Sequence, residues 1–271
     1  MSAVALHALA LDDAQRRANA IRQLSHGGAL HLEDAYATQH ALVARRVGRG
    51  ERVIGAKLGF TSRAKAQQMG VDDVIIGTLT DAMRLDDGGC LDLAVAIHPR
   101  VEPEVAYLLG ADLAGGDADD RGADDGPVSD PFAVIAAVAP AIEVIDSRYR
   151  DFAFDLGDVV ADNASSAAFA VGTWRDPREV GALDNRAVRL EVDGRVVQTG
   201  STGAILGDPG RALAAALRLA RAHGFALPAG SVLLAGAATA AVPFPRAGLV
   251  EAHVAGLGSV SIRAAREEGA R

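Results

Sequence analysis

The 271-residue chain has a single cysteine, Cys90. One thiol excludes intrachain disulfides and thiolate metal clusters, and it suits a reducing, cytoplasmic compartment. No apolar run is long enough to cross a membrane, and the N-terminus lacks a basic region leading into an apolar run and cleavage site; no membrane partner is expected. Basic clusters are missing as well. Lys and Arg number 27 against 35 Asp and Glu, a net charge of −8, so nucleic acid is not expected as a partner. The seven histidines are scattered, without a His-x-x-x-His pair, which removes the usual zinc sites. Gly-x-Gly-x-x-Gly, P-loop and Gly-x-Ser-x-Gly motifs are also absent, removing nucleotide enzymes and serine hydrolases of the common kind. What is present, 49% hydrophobic and 23% charged residues, supplies a packed core and gives no case for disorder.

Apolar positions at helical spacing predict a helix over residues 3–24, with Leu11, Ala14, Ala18, Ile21 and Leu24 on one face. A second helix is predicted from Leu32-Glu33-Asp34, acids suited to a first turn, to about Val47. Val53 to Phe60 reads as a strand with Ile54, Ala56, Leu58 and Phe60 on one face and Val53, Gly55, Lys57 and Gly59 on the other. A lysine between two glycines permits close approach by a ligand or another backbone; the alternative is a stem lying over the sheet with its ammonium in water. Thr61-Ser62 is expected to cap a short helix through Met69, and Val74 to Leu79 to form a strand closed by Thr80-Asp81.

Read as a strand, Arg100 to Tyr107 points Glu102 and Glu104 to one face. Two carboxylates so placed repel unless a cation lies between them, and hard Mg²⁺ or Mn²⁺ suits such oxygens. The alternative is a solvent-facing edge strand, which tolerates Pro103. A third acid, Glu143, interrupts the apolar run Ala141 to Ile145, where an unpaired charge is costly. Residues 112–130 read as an acidic surface loop: a calcium loop starting at Asp117 would need Glu where Val128 stands. Pro131 to Val138 is predicted helical, as is a segment capped by Asp208, begun by Pro209 and ended at Gly224. Strands are predicted over 188–192 and 196–199, joined at Asp193-Gly194, and over 231–235, 249–254 and 258–263. The polar run Asp162-Asn163-Ala164-Ser165-Ser166 is either a turn held by its own side chains or part of a site.

Six stretches follow in order across residues 55–263. They are Lys57 to Lys65 with Met69-Gly70-Val71, Leu79-Thr80-Asp81, Pro99 to Glu104, Pro140 to Tyr149, Val160 to Ser166, and Gly256 to Ser261. Together they resemble the 2-oxopent-4-enoate hydratase and 4-oxalocrotonate decarboxylase family of the fumarylacetoacetate hydrolase superfamily. The resemblance implies an α+β protein, a fumarylacetoacetate hydrolase-like mixed β-sheet roll with an N-terminal helical segment. Residues 1–85 would hold that segment and the first strands, and residues 86–271 the catalytic domain. It also implies a homo-oligomer, sometimes associated with the hydratase of the same pathway, and a small 2-oxo acid as substrate. Mg²⁺ or Mn²⁺ would bind Glu102, Glu104 and Glu143. Lys57 would handle a proton or a substrate carboxylate with Asp81 as its partner, its ammonium pushed towards neutrality beside the cation. Ser165 or Ser166 would hydrogen-bond the substrate, and Arg63 or Arg148, on charge alone, would take a distal carboxylate.

The runs Thr61 to Lys65 with Gln68 to Val71, and Ile145 to Tyr149 with Phe152-x-Phe154-Asp155-Leu156, look more like decarboxylases than hydratases. The expected reaction is conversion of 4-oxalocrotonate (2-oxohex-3-enedioate) to 2-hydroxypenta-2,4-dienoate and CO₂ in meta-cleavage degradation of aromatic compounds. Hydration of 2-hydroxypenta-2,4-dienoate is the other reading. Carbon–carbon hydrolysis of an acylpyruvate would need a His–Glu pair, for which His31 and His98 are the candidates. Asp208 stands where relatives usually carry His, which puts any role for that histidine in doubt here.

Overall fold

The computed structural model describes residues 1–62, 73–113 and 131–264. Two helices lead, α1 (Ala3–Arg16) and α2 (Leu32–Val47). Buried Asp12 ties them together, accepting from Arg45 at 3.0 Å and from Arg49 at 2.8 Å. α2 matches its predicted bounds, whereas α1 stops eight residues short of the predicted Leu24. Ala18 takes a left-handed φ of 47°, and Ile21 bridges to Tyr149 instead. The apolar residues Ile21 and Leu24 still pack on the core, but from irregular chain; spacing alone does not separate the two cases.

The strands are β1 (Val53–Gly59), β2 (Ile75–Thr80), β3 (Arg84–Leu85), β4 (Gly89–Leu91), β5 (Arg100–Leu109), β6 (Ile135–Ile145) and β7 (Ser166–Val171). After them come β8 (Ala187–Val192), β9 (Arg195–Ser201), β10 (Val232–Ala237), β11 (Val242–Pro243), β12 (Gly248–Val254) and β13 (Gly258–Ala264). Among the described residues they form an eight-stranded sheet, ordered β2-β1-β10-β5-β6-β7-β3 with β11 paired to β5, and a five-stranded sheet, β4-β13-β12-β8-β9. Parallel pairs (β1–β10, β3–β7) sit among antiparallel ones, so the large sheet is mixed. This is the expected α+β roll with a helical N-terminus.

Three apolar clusters fix the layers. Ala56, Leu58 and Leu233 join Leu11, Tyr36 and Leu42 of α1 and α2, Val160 of α3 (Leu156–Ala161) and Leu213 of a long C-terminal helix, Arg211–His223. Val101, Ile142 and Val144 join Leu190, Val250 and Ile262 of the small sheet, an ordinary sheet-on-sheet core. Ala106, Ala139, Ala141 and Phe169 line the opposite face of the large sheet, the inside of the roll. Glu102 and Glu104 share the side of Ala106 by strand alternation.

Three sequence expectations change. β5 is not an edge: β10 and β6 flank it, and only its first residue is exposed. Pro103 fits because β10 shifts register between Leu234 and Ala237, and β11 takes over pairing at Val101. The predicted helix from Pro131 reduces to one 3₁₀ turn, Pro131–Val134, before β6 begins; a short apolar run is ambiguous between helix and buried strand. The helix expected from Pro209 starts at Arg211, because Asp208 turns its carboxylate back onto the Gly210 N–H. The Asp193-Gly194 hairpin forms as read, with φ of 50° and 74°. The short helix expected through Met69 and most of the acidic loop lie outside the described residues. No described helix is long and apolar enough to cross a membrane.

Candidate active site

The β5–β6 register sets Glu102 directly opposite Glu143, with Glu104 two residues on along the same face. Ligand oxygens of all three lie within 4.8 Å of one another, and all three residues are buried. Lys57 arrives from β1, with β10 between it and β5. Its Nζ lies 3.0 Å from Glu143 Oε2 and donates to the Ala164 carbonyl at 3.1 Å. The Gly236 N–H donates to Glu104 Oε2 at 2.8 Å. Glu104 Oε1 and Glu143 Oε1 have no hydrogen-bond partner among the described residues. Among the described residues, Lys57 is the buried cation that meets these three acids.

Titration follows from that imbalance. Burial, then the charges of Glu143 and Glu102, hold the Glu104 carboxyl well above the usual carboxylate range, against the pull of Lys57. Burial likewise raises Glu143, with Lys57 opposing. For Lys57, burial favours the neutral amine, but the carboxylates of Glu143, Glu104 and Glu102 outweigh it and hold the ammonium above its ordinary value. The protein's own groups therefore act against the expected drift of Lys57 towards neutrality.

The turn beside Lys57 is strained. Asn163, Ala164 and Ser165 take successive φ values of 50°, 52° and 57°, and each non-glycine residue so placed costs about 1–2 kcal/mol. The Asn163 amide clamps the turn to β2, accepting from the Thr78 N–H at 2.7 Å and donating to its carbonyl at 2.9 Å. Gly77 makes room: a Cβ there would lie 2.9 Å from the Asn163 carbonyl oxygen and 3.3 Å from Lys57 Cδ. The turn leaves Ser165 Oγ buried with no partner among the described residues. Asn163→Ala is expected to cost about 2–4 kcal/mol, since it strands both Thr78 backbone groups; the denaturant midpoint measures it.

The structure thus gathers Lys57, Glu102, Glu104 and Glu143, and sets Ser165 in the turn whose Ala164 carbonyl takes Lys57. It places other expected site residues elsewhere. Asp81 is not the partner of Lys57. β2 runs antiparallel to β1 with Gly77 beside Lys57 and Thr80 beside Val53, which carries Asp81 to the far end of β1. There the Arg52 N–H and guanidinium take its carboxylate at 2.9 and 2.8 Å and hold it below the usual range. Arg148 is also committed: it is 2% exposed, binds the Asp162 carboxylate and carbonyl, and donates to the carbonyls of Asp146 and Ser166. Burial pushes Asp162 up to about 6 even so, against the pull of Arg148. The Ser166 hydroxyl meets Met83 sulfur at 3.9 Å. Arg63 lies outside the described residues. His31 is exposed at the N-cap position of α2 and makes no side-chain capping bond, and His98 packs on Phe152. A second donor group, Glu191, Glu251 and His253, lies on the small sheet, with Glu191 already bridged by Arg189 at 2.6 Å. Sequence reading missed the Asn163–Thr78 clamp and the role of Gly77; the polar run at 162–166 was the available signal.

The family described as fumarylacetoacetate (FAA) hydrolase C-terminal matches residues 73–264. The chain belongs to this family. It is 49% identical over 251 residues to a 4-oxalocrotonate decarboxylase of a Pseudomonas species, covering 93% of this chain and 94% of that one. A 2-keto-4-pentenoate hydratase of Burkholderia vietnamiensis is 40% identical over 241 residues, covering 89% and 88%. Among solved structures, 4-oxalocrotonate decarboxylase from Pseudomonas putida G7, complexed with magnesium and adipate, superposes with a TM-score of 0.88 at 36% identity, covering 97% of both chains. Membership thus agrees with the resemblance drawn from the ordered motifs.

Proposed function

We propose that this protein is a divalent-metal-dependent decarboxylase acting on 4-oxalocrotonate. The observation that carries the reading is the buried carboxylate triad with Lys57 inside the roll, in a chain 49% identical to such an enzyme. The triad fits a hard divalent ion. Its three carboxylates balance a +2 charge with Lys57 nearby, and two oxygens, Glu104 Oε1 and Glu143 Oε1, are buried without hydrogen-bond partners among the described residues. Mg²⁺ or Mn²⁺ held by Glu102, Glu104 and Glu143 would supply a Lewis acid where charge develops on the 2-oxo group.

In 2-oxohex-3-enedioate the C5–C6 bond breaks and C6 leaves as CO₂. Its electron pair moves through C4 and C3 to the C2 oxygen, which takes up one proton to give 2-hydroxypenta-2,4-dienoate. Lys57 Nζ, held between Glu143 and the Ala164 carbonyl, supplies that proton or steadies the retained carboxylate. Ser165 Oγ would offer a hydrogen bond from the strained turn, and the buried apolar residues Ala106, Ala139, Ala141 and Phe169 share the sheet face of the triad.

The hydratase reading rests on the same residues and on the 40% identical hydratase. Offering the metal-loaded protein each substrate in turn separates the two. Consumption of 4-oxalocrotonate with accumulation of the dienoate is expected; consumption of the dienoate alone gives the hydratase. Metal affinity should fall as pH is lowered, because protons on Glu104 and Glu143, whose pKa values are raised, compete with the ion. Mg²⁺ titration in buffers of different ionisation enthalpy should show proton release, and a pH-independent affinity would contradict it. A homo-oligomer, associating with the pathway's hydratase, completes the proposal; mass in solution with and without that enzyme tests it.

A further inference from the structure

We propose that Arg100 receives the distal carboxylate of the substrate and makes the site selective for a six-carbon dicarboxylate over a five-carbon monocarboxylate. The proposal rests on the decarboxylase reading above. Arg100, Glu102 and Glu104 alternate onto one face of β5. Neighbours on that face are about 7 Å apart along the strand, the scale of an extended six-carbon diacid. Arg100 is exposed while the seven residues after it are buried, so it marks the mouth of the interior that holds the triad. Across the sheet it pairs with Ile145, which pairs in turn with Ser166, the row next to Glu102 and Glu143.

The guanidinium is also held in place. It lies 4.5 Å from the centroid of the Phe152 ring. That ring comes from two successive left-handed residues, Asp151 and Phe152, at φ of 60° and 55°, and it packs on His98 and Phe154. The Asp146 carboxylate accepts from the N–H groups of Ile97 and His98, fixing the chain that enters β5. Stacking leaves the guanidinium edge, with its forked N–H donors, to face a carboxylate. Among the described residues Arg100 makes no ion pair, whereas Arg148 and Lys57 both do.

The carboxylate so held leaves as neutral CO₂, so the contact is weaker in the transition state than in bound substrate. Removing it should raise KM without a matching fall in kcat. The test uses the full-length protein with saturating Mg²⁺, measuring binding of adipate and of pentanoate to wild type, Arg100→Gln and Arg100→Lys. Wild type should prefer adipate. Arg100→Gln should lose about tenfold in adipate affinity, as for a charge-assisted hydrogen bond, and leave pentanoate unchanged, with Arg100→Lys in between. An undiminished adipate preference in Arg100→Gln overturns the proposal, as does an equal loss of both ligands, which would make the residue structural. Wild type that binds neither acid overturns the reading of the site itself.

Discussion

Glu104→Gln is expected to lose about a thousandfold or more in decarboxylation and most of its divalent-metal affinity, yet to fold more stably than wild type when metal is chelated. The first part follows from removing one of the three charged donors proposed to hold a hard cation. The second follows from the metal-free electrostatics, in which Glu104 is buried among Glu143 and Glu102 and its pKa is raised. A carboxyl whose folded pKa exceeds its unfolded value contributes stability that is fully present below the unfolded value, near 4.5, and is lost as pH rises through the folded one. Wild-type melting temperature in chelator should therefore fall as pH rises above that range, and the Gln variant should fall less. The Gln carbonyl oxygen can still accept the Gly236 N–H, so the backbone contact survives. A variant that turns over normally, or that melts lower than wild type in chelator at neutral pH, contradicts the assignment.

Lys57→Met carries the second large effect. Lys57 is 3% exposed and is the ion-pair partner of Glu143, which is fully buried. Removing one member of a buried pair leaves the other uncompensated, at a cost of about 3–5 kcal/mol. Part of that cost should be recovered by adding Mg²⁺, whose charge substitutes for the ammonium among the acids, but activity should not return. Thermal unfolding and turnover, each with and without metal, read the two effects separately. Activity restored by metal would remove Lys57 from the chemistry.

Much of this site was legible in the sequence because strand alternation is a local rule. Glu102 and Glu104 share a face whatever the sheet around them, and Glu143 stands out as an acid in an apolar run. Lys57 between glycines was equally visible, although its neighbour at close quarters is Gly77 of the next strand rather than Gly55 or Gly59. What failed was register and partner choice. Asp81 looked like a partner for Lys57, but the β1–β2 pairing carries it to Arg52. Arg148 looked like a substrate contact on charge alone, but Asp162 and two carbonyls claim it. Arg100, two residues before the first glutamate, drew no notice because its placement depends on Phe152, fifty-two positions along the chain, and on a left-handed turn that no propensity scale favours. The fold followed the same division. α2 and the Asp193-Gly194 hairpin carry local signals, whereas the start of β6 and the end of α1 are set by tertiary pairing.

The most direct test of the central claim is a carbon NMR time course of the purified protein with 4-oxalocrotonate labelled at C6, run with Mg²⁺ and then after chelation. Labelled CO₂ or bicarbonate should appear together with 2-hydroxypenta-2,4-dienoate, stop on chelation and resume when metal is restored. Label that stays on the intact substrate in the presence of metal, or is released at the same rate after chelation, would contradict a metal-dependent decarboxylase built on Glu102, Glu104 and Glu143.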